Sequence, residues 1–560
     1  MATEAKTIKD KFSQLESDRG TYSAHLDELV DNLMPFRQNY NRRETGAKKL
    51  EKILDSTGVH GLLLFAAGIM GKMTNAGSDW FDITTEIDEL SAINEVKLWL
   101  DKLKRAYINI FNKSNFYAQL HECYIDIGGF GMGPFSCLEH PRTLCYFKAI
   151  SPIETYISDN RYGEVDTVYR LFTMTARQMV QQWGEAKLSD SVQVAAKDKP
   201  FTTFEIIHGI YPRNDRQPGK EDKVNKPIAS CYIERNSVTL LSESGFEDMP
   251  IMIPRFFIAS GEVYGRGPGM LALPDVKMLN RMESDILKAG QKKLSPPLLV
   301  PDDGFMGPLK LIPNGLNFFR SDRRSTMQDN IGAFPVPDDL GYAEEKLKQK
   351  RDQIRSIFYN DMLQTFHDAQ MTATEVLKLA EERLQLLGPF QGRMNSELYN
   401  PTFDRIFGIM LRNGAMPAPP EIMMGQSLKI NYINPLSKVQ RTTEADGIAR
   451  TFAFLAPLHQ AGLPVMDNLD IDGAIRDFAE ISGFPSKRIN STDIIEQTRK
   501  ARTEQQAVEA KAAQAAQIAE IATKAVPALS KGAEPNSLMS ALMGAGREES
   551  GGLAQSTTRH

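Results

Sequence analysis

Residues 265–301, GRGPGMLALPDVKMLNRMESDILKAGQKKLSPPLLVP, carry the pattern that decides the fold. At 100° per residue, four basic residues fall within about 60° of one another, and apolar residues cover the opposite side. The basic residues are Lys277, Arg281, Lys288 and Lys292, and the apolar ones are Met278, Leu279, Met282, Ile286, Leu287 and Ala289. The pattern predicts one long amphipathic helix that opens after Pro274 and closes at Ser295.

The basic line of this helix extends over roughly 22 Å, at about 1.5 Å per residue. A helix with one apolar side and one basic side can pack beside identical helices in a repeated wall and present its basic side, the basic ridge, to a polyanion. The alternative is an ordinary helix whose charged side faces water, and charge runs most often have that role.

Size and composition favour a soluble protein of several packed units. The chain has 560 residues, of which 41% are hydrophobic and 24% are charged, as in ordinary globular proteins. The net charge is −5, whereas proteins that wrap nucleic acid tightly are usually basic. The composition therefore argues against tight, static binding of DNA and is compatible with weak or sliding contact.

Cysteine usage and the apolar runs argue against a secreted or membrane protein. The four cysteines, at 123, 137, 145 and 231, form no CxxC pair, so we predict four buried or half-buried free thiols and no zinc knuckle. The N-terminus lacks an apolar signal core. The most apolar run, 62–70, is much shorter than the roughly 20 residues that span a membrane. We expect an intracellular protein that does not insert into membranes.

The pattern along the chain predicts an α+β fold that is predominantly helical. Predicted helices cover 8–34, Thr57 to Met73 after the capping run Asp55-Ser56-Thr57, 89–111, 116–127, 271–294, 339–363, 372–414 with a kink at Gly388-Pro389, and 491–527, which is rich in alanine and ended by Pro527. Strand-like runs at 144–150, 165–174, 203–212 and 229–236 predict a small antiparallel or mixed sheet. Residues 295–338 are rich in proline and carry strand-like LLV and LKLI pieces, residues 415–490 are mixed, and residues 528–560 are predicted to be disordered.

No set of residues predicts catalysis, a metal or a cofactor. The glycine run 128–133 lacks the Lys-Ser or Lys-Thr pair of a phosphate loop and reads as a hinge between a helix and a strand. The second glycine-rich run, 265–269, contains Pro268, which removes an amide that a phosphate would bind, and reads as a tight turn. The eight histidines form no HExxH motif or other ligand cluster.

Several motifs, in their order along the chain, together resemble the head-to-tail connector, or portal, proteins of short-tailed bacteriophages. The motifs are DST at 55–57, WF at 80–81, the glycine run at 128–133, YGRGP at 264–268, LPD at 273–275, PPLLVP at 296–301, MTATEV at 371–376 and LGP at 387–389. The resemblance covers roughly residues 5–480.

The resemblance implies a ring of twelve subunits at one capsid vertex, built from wing, stem, clip and crown regions. Its implied parts are a wing region at 1–270, stem helices at 271–294 and 339–363, a clip at 295–338, a tunnel loop at 364–371, a long kinked wing helix at 372–414, a crown at 415–490, a C-terminal barrel helix at 491–527 and a disordered tail at 528–560. Candidate residues for contact with DNA in the channel are Lys277, Arg281, Lys288, Lys292, Gln364 and Gln370.

The implied function is a conduit for double-stranded DNA during packaging and ejection, with a role in seeding capsid assembly. The implied partners are further copies of the chain, non-specifically bound DNA, the terminase large subunit, the major capsid protein, the scaffold protein and the tail adaptor or tail tube proteins. The protein would be assembled in the host cytoplasm and located in the virion. Alternatives are another phage assembly protein, such as a tail adaptor or scaffold, or an enzyme that acts on nucleotides or nucleic acid.

Overall fold

A computed structural model describes residues 2–37, 53–87, 90, 93–217, 219–220, 222–301, 310–319, 332–333, 341–363, 386–433, 447–457, 469–481, 489–490 and 492–529. The fold mixes helix and strand, and helix is the larger share. Contacts divide the chain into two units. The first comprises Met1–Ser91 and Glu95–Ser486, and the second comprises Ala92–Asn94 and Lys487–His560.

The described residues up to Phe130 are mainly helical. Its helices are α1 (Ala2–Asp18), α2 (Gly20–Asn32), α3 (Thr57–Met73), α4 (Asn94–Lys113) and α5 (Phe116–Phe130). The single helix predicted at 8–34 is wrong, because the chain breaks at Arg19, next to the poor helix former Gly20. The apolar run at 62–70 lies inside α3, where Leu62, Phe65 and Ile69 are buried, as predicted.

The first unit contains a five-stranded antiparallel sheet, with shorter strands before and after it along the chain. The strands before and within it are β1 (Phe81–Thr85), β2 (Phe135–His140), β3 (Leu144–Ala149), β4 (Thr155–Asp159), β5 (Val165–Thr175), β6 (Thr203–Pro212), β7 (Ile228–Glu234) and β8 (Leu240–Phe246). The sheet has the order β4-β5-β6-β7-β8, and every pair is antiparallel. The strands predicted at 144–150, 165–174, 203–212 and 229–236 are confirmed.

Helices of the same chain pack on both faces of this sheet. On one face, Ile8 and Phe12 of α1 pack in one cluster with Tyr156 and Ile207. Part of the other face lies under α6 (Ala176–Trp183) and α7 (Asp190–Asp198), which contribute Met179 and other residues to a second cluster. Three further short strands are β9 (Ile251–Met252), β10 (Phe257–Ile258) and β11 (Gly265–Arg266).

The long helix predicted from the basic pattern is α8 (Pro268–Leu294). It begins at Pro268, seven residues before Asp275, so the predicted start after Pro274 is wrong. Pro268 occupies the first turn, where its fixed φ and missing N–H cost little. Pro274 lies inside the helix and removes one hydrogen bond, and the burial of Leu273 and Val276 beside it offsets that loss.

The segment after α8 contains the strands β12 (Leu298–Pro301), β13 (Leu316–Phe319) and β14 (Gly332–Ala333), which form one small sheet. The predicted LLV strand is confirmed. The predicted LKLI strand is wrong for 310–312, which are irregular. The helix predicted at 339–363 is two helices, α9 (Gly341–Ile357) and α10 (Asn360–Leu363), separated at Tyr359, whose φ is 57°.

The last part of the first unit is also mixed. It contains α11 (Gly388–Met394), a π-helical turn (Asn395–Tyr399), α12 (Asn400–Arg412), β15 (Leu428–Tyr432), a helical stretch at 447–457 and α13 (Ile471–Ile481). Pro389 lies in the first turn of α11 rather than kinking a helix that runs through it, and the predicted helix before it lies largely outside the described residues. Strand β15 pairs antiparallel with β1, a contact that the sequence did not predict.

The described part of the second unit is mainly α14 (Thr492–Leu529), the predicted alanine-rich helix. The helix runs past Pro527, so the predicted end at that residue is wrong. The tail predicted to be disordered lies outside the described residues from 530 onward.

Candidate functional site: the paired long helices and their junction

Helices α8 and α9 lie side by side and bury one side of each. Leu279 of α8 and Leu347 and Ile354 of α9 are at most 4% exposed. Two ion pairs link the helices, from Lys350 Nζ to Asp275 Oδ1 at 2.8 Å and from Arg351 Nη2 to Glu283 Oε2 at 3.3 Å. Since α8 has 27 residues, it is about 40 Å long and gives this pair the dimensions of a rod.

The start of α3 joins the two long helices through Asp55. Its carboxylate accepts a hydrogen bond from Thr57 N at 2.8 Å and pairs with Arg351 Nε at 2.7 Å. Burial raises the pKa of Asp55, but the hydrogen bonds from Thr57 and Arg351 outweigh burial and hold that pKa below its ordinary value. The Asn280 side chain on α8 accepts from the backbone N–H groups of Leu54 and Asp55, at 3.0 Å each.

Three residues of the basic ridge predicted on α8 are exposed and Lys292 is half-buried, and half of the ridge is paired within the chain. Lys277 Nζ lies 3.3 Å from Glu28 Oε2 on α2, and Lys288 Nζ lies 3.5 Å from Asp285 Oδ1. Arg281 and Lys292 make no ion pair with any carboxylate in the described part of the chain. The other two channel candidates, Gln364 and Gln370, lie outside the described residues.

An apolar stripe lies beside this ridge on the same helix. Leu271 is 56% exposed and Met278 is 50% exposed, one seven-residue step apart. Because the side of α8 that carries Leu279 already packs inside the chain, this stripe is a second apolar face. Residue spacing predicts Met278 and Leu279 on one apolar side, but Met278 lies on an exposed face and Leu279 on a buried one.

The two glycine-rich runs meet where α8 begins. Gly131 ends α5 in the left-handed region, with φ of 84°, so the predicted hinge between a helix and a strand is confirmed. A Cβ at Gly267 would lie 2.6 Å from Ile127 O, and one at Gly269 would lie 2.6 Å from Gly129 O. Real Cβ atoms do not approach oxygen so closely, so the last turn of α5 and the first turn of α8 require glycine at both places. We call this contact the glycine junction, comprising 127–131 and 265–269.

A buried ion pair lies on the same last turn of α5. Asp126 is 2% exposed and accepts from Arg37 Nε at 2.8 Å, and Arg37 also pairs with Glu122 at 2.8 Å. Burial raises the pKa of Asp126 to about 7, against the opposing effect of the neighbouring Arg37 cation. The pair therefore fixes residues 34–37 to α5 through a carboxyl that titrates near neutral pH.

The described residues contain no group of three His, Cys, Asp or Glu side chains that could hold a metal ion. All four cysteines are buried and free, as predicted. No helix in the described ranges is long and apolar enough to cross a membrane.

Neither the glycine junction nor the ionic role of Asp55 follows from the sequence alone. Neither glycine run carries a sequence signal for its contact with the other. The local sequence predicts only a helix cap at Asp55. Its two other partners, Arg351 and Asn280, lie more than two hundred residues away, and Arg351 is also bound to Glu283.

A rod of two helices with one internal seam, one exposed apolar stripe and one basic ridge suits a subunit that packs side by side in an assembly. Comparison with known proteins agrees with this class. Residues 5–489 match the family described as bacteriophage head to tail connecting protein. The chain is 32% identical over 515 residues to the probable portal protein of Bordetella phage BPP-1, which covers 90% of this chain and 92% of that relative.

It is also 31% identical over 518 residues to the portal protein of Salmonella phage epsilon15, which covers 91% of this chain and 93% of that relative. The chain therefore belongs to the family of bacteriophage head-to-tail connecting proteins. The resemblance that the ordered motifs indicated is confirmed.

Proposed function

We propose that the chain is the subunit of a portal, a ring of twelve copies at one capsid vertex through which double-stranded DNA is packaged and ejected. The observation that carries this proposal is the family match across residues 5–489, together with two relatives named as portal proteins. The exposed stripe of Leu271 and Met278 supports it, because a neighbouring copy would remove this apolar surface from water.

The regions of the portal are proposed as follows. The wing comprises 1–270 and 372–414, the stem comprises 271–294 and 339–363, the clip comprises 295–338, the tunnel loop is 364–371 and the crown is 415–490. Residues 491–527 would form a barrel with their counterparts in other subunits. The exposure of α14 supports this last assignment, because Ile494 and Val508 are 44% and 66% exposed and a long helix gains little stability without packing.

The proposed contact with DNA is weak and repeated. Phosphate contacts are independent of sequence and weaken steeply with salt, and strong contacts would hold a strand that has to move. On α8, Lys277 and Lys288 are already neutralised in part by Glu28 and Asp285, which leaves Arg281 and Lys292 as the stronger attraction for phosphate. This partial neutralisation supports a lining along which DNA slides.

The proposed partners follow from a connector at the capsid vertex. They are the terminase large subunit during packaging, the major capsid and scaffold proteins during assembly, and the tail adaptor or tail tube proteins afterwards. The subunit itself would be structural, with ATP hydrolysis left to the separate motor. It would be assembled in the host cytoplasm and remain in the virion.

Electron microscopy of negatively stained protein, with mass photometry, tests the ring. The wild-type chain should give rings with a central hole and a mass near twelve times 62.6 kDa. A double variant, Leu271→Gln with Met278→Gln, should remain folded by circular dichroism and lose most of its rings, because the stripe no longer gains from burial.

The matched control is Leu98→Gln, which changes an apolar residue that is 57% exposed on a different helix, α4. Its rings should form normally. A wild-type chain that stays a monomer at all concentrations would refute the ring, and full assembly of the double variant would refute the role of the stripe.

A further inference from the structure

The glycine junction is a contact between two backbones, with no side chain between them. The carbonyl oxygen of Gly131 occupies the place where a Cβ of Gly265 would stand, and a Cβ at Gly131 would lie 2.5 Å from Gly265 O. Gly269 lies against Gly129 in the same way. The separation of the two backbones is therefore fixed closely, because no rotatable side chain lies between them that could fill a gap or move aside.

Tyr22 of α2 joins both sides of this junction with one hydroxyl group. The hydroxyl donates to Phe130 O at 2.9 Å and lies 3.3 Å from Gly265 O, so it spans the end of α5 and the strand that leads into α8. Its ring stacks on Tyr264 with 4.6 Å between centroids. Tyr264 in turn accepts a hydrogen bond from Ile157 N of the five-stranded sheet.

The junction is therefore connected to the rest of the body from two directions. Behind it, the Met34 side chain fills the place of a Cβ on Gly129, and the Arg37–Asp126 pair fixes the segment that follows Met34. In front of it, α8 packs on α2 and α3 as far as Asn280 and then extends about 20 Å further to Leu294. A small tilt at the first turn of α8 becomes a large displacement at its far end.

We propose that the glycine junction, with Tyr22 as its positioning residue, sets the angle between α8 and the body and thereby the number of subunits in the ring. This inference rests on the proposed ring. In a head-to-tail ring each subunit presents two different faces, and the angle between them decides whether and where the ring closes. The stripe of Leu271 and Met278 moves with α8, and any complementary face on the body stays with α5 and the sheet.

The first test is Gly269→Ala, with Gly290→Ala on the same helix as the matched control. The new Cβ at 269 would lie 2.6 Å from Gly129 O and 2.9 Å from its Cα, so α8 has to shift or tilt. A Cβ at 290 would meet nothing within 4 Å. Native mass spectrometry of assembled rings should show a changed or broadened subunit number for Gly269→Ala and the wild-type number for Gly290→Ala.

The second test removes only the hydroxyl group that bridges the junction. It can still decide between the outcomes if the Gly269→Ala variant does not fold. Tyr22→Phe should raise the share of rings with other subunit numbers about fivefold, as expected from one hydrogen bond of ordinary net strength. Its control is Tyr169→Phe, because the buried Tyr169 hydroxyl has no hydrogen-bond partner in the described residues. That variant should keep the wild-type distribution.

The outcomes separate this inference from the ring itself. If the wild-type chain and both controls form uniform rings and Tyr22→Phe does the same at reduced thermal stability, the junction is merely structural and the inference is wrong. If the wild-type chain forms no rings, the proposed function has failed and this inference with it.

Discussion

Three of the arginines that the structure describes are almost wholly buried and hold distant segments through backbone carbonyls. Arg19, Arg255 and Arg405 are at most 2% exposed. Arg19 donates to the carbonyls of Ile153 and Thr155, and Arg405 donates to those of Cys137 and Asp248. A planar group with five donors can satisfy several such acceptors at once, and this explains why charged residues lie inside the body.

At the same scale, Arg37 gives a prediction about pH. In the folded chain the pKa of Asp126 is about 7, so its carboxyl is protonated below that pH. In the unfolded chain its pKa has the ordinary value of 3.8. Asp126 therefore lowers stability progressively as pH rises between these values and has a constant effect above about 7. Arg37→Met removes the nearby cation, so the pKa of Asp126 should rise further.

The stability lost in Arg37→Met should therefore grow as pH rises above 7, by at most about 1.4 kcal/mol per pH unit. Urea unfolding at several pH values between about 6 and 9 measures this. Arg355→Met is the control, because Arg355 pairs with Asp352 at 3.0 Å on the half-exposed surface of α9. A loss in Arg37→Met that is the same at both ends of the range would contradict the buried, titrating pair.

At the scale of elements, the contact of Arg351 with Asp55 and Glu283 holds three helices together. Arg351→Met should lower the free energy of unfolding by about 2 kcal/mol, because it removes hydrogen bonds between charged groups and leaves the mostly buried Asp55 carboxylate without its cation. Lys348→Met, one turn away on the exposed side of α9, should leave stability unchanged. Urea unfolding at one protein concentration compares the two variants, and equal stability would show that the Asp55 carboxylate does not depend on Arg351.

The elements that the sequence predicted best are those whose signal is local. Strands β5 and β6 are continuous runs of ten or more residues rich in β-branched and aromatic side chains, so their bounds were predicted almost to the residue. Strand β15 has five residues and pairs with β1, more than three hundred positions earlier. No local pattern distinguishes such a short partner, so it was missed.

Helix ends depended on contacts that the sequence does not display. The break between α9 and α10 occurs where Phe358, fully buried, packs against Gly61 of α3. The start of α8 at Pro268 depends on the glycine junction with α5. The basic ridge could be predicted from spacing alone, but its partial neutralisation could not, because Glu28 lies on another helix 249 positions away.

At the scale of the whole molecule, charge is distributed in a way that net charge conceals. The chain carries −5 overall, yet one side of α8 presents a basic line. A generally acidic surface repels DNA, and a local basic line attracts it, so contact would be confined to that line. In a ring, the same line would recur in every subunit.

The last prediction tests this line. Arg281→Glu with Lys292→Glu should leave ring formation intact and reduce DNA packaging, because these are the ridge residues without a carboxylate partner in the described chain. Lys277→Gln with Lys288→Gln should have a smaller effect, since Glu28 and Asp285 already offset those charges. Packaged DNA is measured per particle, and DNA binding to isolated rings is measured against salt, where the double Glu variant should show a shallower dependence. Normal packaging by rings in which all four residues are Glu would show that the ridge faces away from DNA.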